Sequence, residues 1–261
     1  MSDNSFPLRE RTTLIFGPFS SLIQVLMQKL TDLGSDCVLL SGQAMQAKKY
    51  CDSLSESRTL QPKRGRAFTI ELKCETDAQI VDSVRACAQL FNAIDLFVDC
   101  KTLDLEVLRS LDSKVLGSQR MNELFRQYFV QSYLISEQVI PFFKTRRRGR
   151  LVFLNRRDLP FWRANPDLQM VASIRQALQR QTQSMADELS AFQITVNSIE
   201  LNVHEEDLRL IDPARPIKDH LEDLQKTSSE TRLTDDDKLS SLIAMLLSPA
   251  GGLLNRQVFQ T

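Results

Sequence analysis

Short apolar strands alternate with amphipathic helices along almost the whole chain, and that alternation fixes the class of fold. TTLIF reads as a strand, and SSLIQVLMQKLTDLG follows as a helix with Leu22, Val25, Leu26 and Leu30 on one face and Gly34 as its stop. CVLLS, RAFTIEL, IDLFVDC, RLVFLN and QITVNSI repeat the strand pattern, and NRQVFQ adds a short last one. Between them lie a polar helix over 43–56 and an amphipathic helix capped by Thr76. A long helical region then covers about 104–143, and another helix runs from about 165 to 190 with Pro166 at its first position. Such connections imply a parallel sheet covered by helices on both faces. The expectation is an α/β fold: one doubly wound domain over 1–261 with about seven parallel strands. The stretch 202–235, with many charges and two prolines, reads as a flap or insertion within it.

The first strand breaks at Gly17 and passes into a helix near Ser20. A dinucleotide-binding fold places its phosphate loop at this kind of junction. Here the loop, LIFGPFSSLI, holds one glycine followed by a proline. Glycine is scarce throughout, with 8 residues in 261, against roughly 7% of an average chain.

Charge narrows the function classes. Lys and Arg total 33 and so do Asp and Glu, so no net field draws in nucleic acid or an anionic membrane. No apolar run approaches the roughly 18 residues of a membrane span. The polar start MSDNSFPLRERTT lacks a signal-peptide core, and a cytoplasmic protein is expected. Cys37, Cys51, Cys74, Cys87 and Cys100 are odd in number and show no CxxC spacing; free thiols are expected rather than disulfides or zinc. His204, in HEED, lacks the HExxH spacing, and His220 follows Asp219 in a charged run. No metal site is expected.

Several longer segments carry a family resemblance. GSDCVLLSG resembles a second-strand region, and IDLFVDC resembles a segment that usually reads IDxLVNNAG. Ile140-Pro141 followed by RRRGRLVFLN, the stretch SMADELSAFQITVNSI, and the tail LSSLIAMLLSPAGGLLNRQVFQT continue the match over about 10–260. Together they resemble the short-chain dehydrogenase/reductase family, closest to its 3-oxoacyl-acyl-carrier-protein reductase branch. The resemblance implies a Rossmann-type sheet in the order 3-2-1-4-5-6-7 and an NAD(P) cofactor. It also implies assembly through helices aligned with about 104–143 and 165–190.

The functional motifs of that family are altered. Its phosphate loop, TGxxxGxG, aligns with Gly17, Ser21 and Ile23, while Pro18 lacks an N–H. Lys73 stands where an aspartate binds adenine, and a cation accepts no hydrogen bond. Asp99, Cys100, Lys101 and Thr102 replace NNAG, and Leu201-Asn202 replaces Pro-Gly. The catalytic tyrosine and lysine align with Val171 and Arg175, the serine with Asn155 or Arg156, and the helix asparagine with Tyr128. Valine donates no proton.

The reading is therefore a catalytically silent member of this fold, with no catalytic residues and no cofactor expected. It would act as an assembly, regulatory or ligand-binding subunit, as a homo-oligomer or paired with an active homologue. Alternatives are an NAD(P)-dependent ketone or 3-oxoacyl reductase with an altered site, Tyr128 serving as acid beside Arg175, and a sensor whose anion pocket uses Arg175, Arg156 and Lys73. TRRRGR is a further candidate surface for phosphate or an acidic carrier protein.

Overall fold

The structure, a computed structural model, describes residues 7–56, 63–73, 76–102, 118–156, 166–201 and 236–261. The stretch 202–235, with His204 and His220, lies outside the described residues, as does Cys74. Seven strands, β1 (Thr12–Phe16), β2 (Asp36–Ser41), β3 (Ala67–Glu71), β4 (Leu96–Asp99), β5 (Gly149–Arg156), β6 (Ile194–Leu201) and β7 (Val258–Gln260), form one sheet. Its order is β3-β2-β1-β4-β5-β6-β7, and every neighbouring pair is parallel. This is the order and direction expected from the sequence.

Burial of β1 on both faces explains its unbroken apolar run. Ile15 packs with Ile23, Leu26 and Ile243 on one side, while Leu14 and Phe16 pack with Ile80, Val84 and Ile135 on the other. The period-2 alternation of a strand sends successive side chains to opposite layers. Helices α1 (Ser21–Asp32), α2 (Ala44–Glu56) and α7 (Asp236–Leu247) cover the first face. Helices α3 (Asp77–Phe91), α5 (Gln131–Arg146) and α6 (Pro166–Leu189) cover the second. Each Leu or Ile buried in this way contributes about 1.5–3 kcal/mol.

Helix ends follow local chemistry. Ser20 caps α1 through its hydroxyl, which accepts from Ile23 N, and Gly34 takes a φ of +94° just past its end. Thr76 and Gln79 form a reciprocal capping box at α3. The helix expected over 104–143 is described from α4 (Ser118–Phe125) onward and is interrupted. Residues Arg126–Val130 form a π turn, with Gln131 N donating to Arg126 O five residues back. Such single wide turns recur at functional sites. This one lies at the base of the crevice described next.

Candidate functional site

β1 has β2 on one side and β4 on the other. Successive connections wind away from it in opposite directions, which opens a crevice beyond the carboxyl ends of these strands. A cavity of about 220 Å³ lies there, walled by Phe16, Gly17, Ser41, Gln43, Lys101 and Tyr128 among others.

The phosphate-loop position is satisfied from within. Phe19 N donates to Gln43 Oε1 at 2.8 Å, and Ile23 N donates to Ser20 Oγ at 3.4 Å. Pro18 contributes no donor. Ile23 is fully buried, and a Cβ on Gly17 would sit 3.3 Å from its Cδ1 and 3.1 Å from Cys100 Cβ. Gly17 thus permits close packing of the turn on Ile23 and Cys100. Ser21 opens α1 and is exposed.

At the end of β4 a polar cluster forms. Asp99 is buried; its Oδ1 accepts from Lys101 N at 2.9 Å and its Oδ2 from the Ser132 hydroxyl. Burial pushes the Asp99 carboxyl up to about 6, against the opposing pull of those two donors and the Lys101 charge. Lys101 Nζ donates to Gln131 Oε1 at 2.7 Å and sits 5.4 Å from the Phe16 ring and 5.5 Å from the Tyr128 ring. Those distances place the ammonium within cation–π range of both rings. Tyr128 is almost fully buried within the π turn.

At positions aligned with the family's catalytic residues a buried ion pair forms. Arg175, on α6, bonds Glu200 Oε1 on β6 through Nη1 at 2.8 Å, with both side chains buried. Gln260 donates to the other Glu200 oxygen at 3.3 Å. Asn155 Nδ2 donates to Arg175 O at 3.3 Å, so the aligned serine position ties β5 to α6. Val171 lies one helical turn before Arg175; its side chain and that of Arg156 lie outside the described residues.

Of the anion pocket expected from Arg175, Arg156 and Lys73, the Arg156 side chain lies outside the described residues. Arg175 directs its charge to Glu200, and Lys73 is exposed and does not line the cavity. The cation that does line the cavity is Lys101. Sequence reasoning also missed Gln43, Ser132 and Glu200. Glu200 carried a readable signal, since an acidic residue inside the apolar strand ITVNSIEL requires a buried partner.

Three groups at the positions aligned with a nicotinamide dinucleotide site are engaged within the protein. A loop N–H is already bonded to Gln43, a branched side chain fills the space under the turn, and the basic residue at the lysine position is paired with Glu200. Among the described residues no cluster of three metal-ligating side chains occurs, and no helix is long and apolar enough to cross a membrane.

A family model described as short chain dehydrogenase matches residues 11–209. No curated protein matches the chain in sequence. Among solved structures it is similar to a short-chain dehydrogenase/reductase from Serratia marcescens, with 16% identity, 98% of this chain and 97% of that chain covered, and a TM-score of 0.75. It is similar to a hydroxysteroid dehydrogenase from Escherichia coli, with 16% identity, 100% and 98% covered, and a TM-score of 0.74. It is also similar to a 3-ketoacyl-(acyl-carrier-protein) reductase from Brucella melitensis complexed with NADH, with 17% identity, 97% of each chain covered, and a TM-score of 0.72. Similarity at this level of identity speaks to the fold alone.

Proposed function

Since the chain belongs to the short-chain dehydrogenase family, we propose that it is a catalytically silent member whose role is assembly, regulation or ligand binding, paired with an active homologue or with itself. The carrying observation is the Arg175–Glu200 pair. A guanidinium held by a buried carboxylate is not available to hold a ribose or to depress the pKa of a neighbouring acid. Removing a single member of a catalytic unit commonly costs several orders of magnitude in rate, and here each aligned position is altered.

Exposed apolar side chains on the long helices support the assembly role. Phe125 is 40% exposed and stacks on Phe129 with ring centroids 4.8 Å apart, and Tyr133 is 41% exposed. A cavity of about 490 Å³ opens between α5 and α6 beside Tyr133, Ile140, Pro141 and Met185. These helices overlap the segments 104–143 and 165–190 through which assembly is expected. The cytoplasm is the proposed location, in keeping with four buried free thiols among the described residues.

The competing reading is an NAD(P)-dependent ketone or 3-oxoacyl reductase with an altered site. Its support is family membership and the NADH complex of one structural relative. The two readings separate in a turnover assay that follows nicotinamide absorbance with ketone and 3-oxoacyl substrates. The silent reading expects no rate above background. Turnover that disappears in a Tyr128→Phe variant would establish the reductase.

A further inference from the structure

The amino ends of β1, β4 and β5, on the opposite edge of the sheet from the crevice, gather an overcharged cluster. Arg11 Nη1, Arg146 Nη1 and Arg148 Nη2 lie 3.6, 2.9 and 3.4 Å from one atom, Asp95 Oδ1. The second oxygen, Oδ2, accepts from Thr12 N at 3.1 Å, so the carboxylate is fully engaged and almost fully buried. Arg150 on β5 lies near enough to Arg11 for the two charges to repel; its Nη2 donates to Pro249 O at 3.4 Å, and its buried Nε has no hydrogen-bond partner among the described residues. The result is three guanidiniums around one carboxylate, an excess of two positive charges, with the Arg150 cation beside Arg11, in a chain whose net charge is zero.

Nothing nearby among the described residues removes that excess. Asp36, on the adjoining strand, accepts from Arg66 N and Nη2 at 2.7 and 2.8 Å. No second carboxylate among those residues pairs with Arg11, Arg146 or Arg148. Burial, and secondarily the charges of Arg148 and Arg146, hold Arg11 below the ordinary guanidinium value despite Asp95. One structural role accounts for part of the cluster: Arg146 ends α5 and reaches Asn92 O at 3.4 Å, where a cation complements the helix terminus. That role does not extend to Arg11 or Arg148.

We propose that this basal cluster is a binding site for a multiply charged phosphate oxyanion, with Arg11, Arg146 and Arg148 as its direct ligands and Arg150 adding charge from beside them. Convergence of three guanidiniums on one oxygen suits a compact polyanion, whereas an acidic protein surface distributes its carboxylates. Each guanidinium makes only one contact with Asp95; Arg146 also reaches Asn92 O, while Arg11 and Arg148 keep the rest of their planar forks for phosphate oxygens. The site is independent of the silent-subunit reading, since it lies at the other end of the sheet.

The test uses the full chain in low-salt buffer, with calorimetry and thermal melting against inorganic phosphate, tripolyphosphate, glycerol phosphate and an acidic peptide. Sodium chloride at matched ionic strength is the control. Phosphate or tripolyphosphate is expected to bind and to raise the melting temperature beyond the chloride control. Arg148→Gln and Arg11→Gln should each weaken that binding at least about tenfold. Glycerol phosphate binding as tightly as inorganic phosphate assigns a phosphate ester; weaker binding assigns free phosphate or polyphosphate. A second readout separates ligand binding from structure: without phosphate, Arg148→Gln should melt no lower than the native chain, because it relieves repulsion. Loss of stability in Arg148→Gln with an unchanged phosphate response would overturn the proposal. So would a chloride effect equal to that of phosphate, or binding of the acidic peptide alone.

Discussion

Arg175 Nη1 lies 2.8 Å from Glu200 Oε1, and both side chains are buried between α6 and β6. Two charges taken out of water persist only as a pair, because removing one leaves the other uncompensated. Glu200→Ala should therefore destabilise the chain by about 3–5 kcal/mol, and Arg175→Met with Glu200→Leu should recover most of that loss. Urea unfolding of the two variants checks it. A single variant as stable as the native chain would show that the pair is not sequestered.

Ile23 occupies the space beneath the Gly17 turn. Ile23→Ala should cost about 2–5 kcal/mol, as expected for a fully packed core position. It should not create nucleotide affinity, since Gln43 still holds Phe19 N and Pro18 still lacks a donor. Denaturation together with a nucleotide titration of this variant measures both outcomes. Gained affinity would mean that Ile23 alone was the obstruction.

The buried Asp99 carboxyl titrates at about 6, against roughly 3.9 in an unfolded chain. Between those values the folded state holds more protons than the unfolded one. The Asp99 contribution to stability therefore falls as pH rises from about 4 to about 6 and is flat above. The gap between the folded and unfolded values sets a ceiling of about 3 kcal/mol on the effect. Asp99→Asn removes it, so the variant should gain stability relative to the native chain as pH rises from about 4 to about 6 and hold a constant difference from there to pH 8. Paired unfolding curves across that range read the difference, and a pH-independent gap would contradict the assignment.

Phe125 is exposed and stacked on Phe129. If this face seats another subunit, Phe125→Ser should weaken association by about 2 kcal/mol, roughly thirtyfold in the dissociation constant. Sedimentation across a dilution series measures the shift, while melting of the isolated chain should barely change. An oligomer unaffected by the substitution would place the contact elsewhere.

The sheet was legible because each strand carries its own local signal. TTLIF and ITVNSI are buried on both faces, and their Leu, Ile, Phe and Val residues carry the signal of strands covered on both sides. The π turn at Arg126–Val130 was not legible, since its wide hydrogen bond from Gln131 to Arg126 has no composition signature. At the site, the replacements at Ser21, Ile23, Lys73, Val171 and Arg175 were visible one by one. What fills the altered space was not. Gln43 meets Phe19 across 24 residues and Glu200 meets Arg175 across 25, and such pairings appear only once the strands are placed side by side.

Calorimetric titration of the purified chain with NADH and NADPH, carried to millimolar nucleotide, tests the central claim most directly. The account predicts no heat beyond dilution, because Gln43, Ile23 and Glu200 hold the groups a dinucleotide would need. Saturable binding in the micromolar range would contradict it and return the chain to the working reductases of its family.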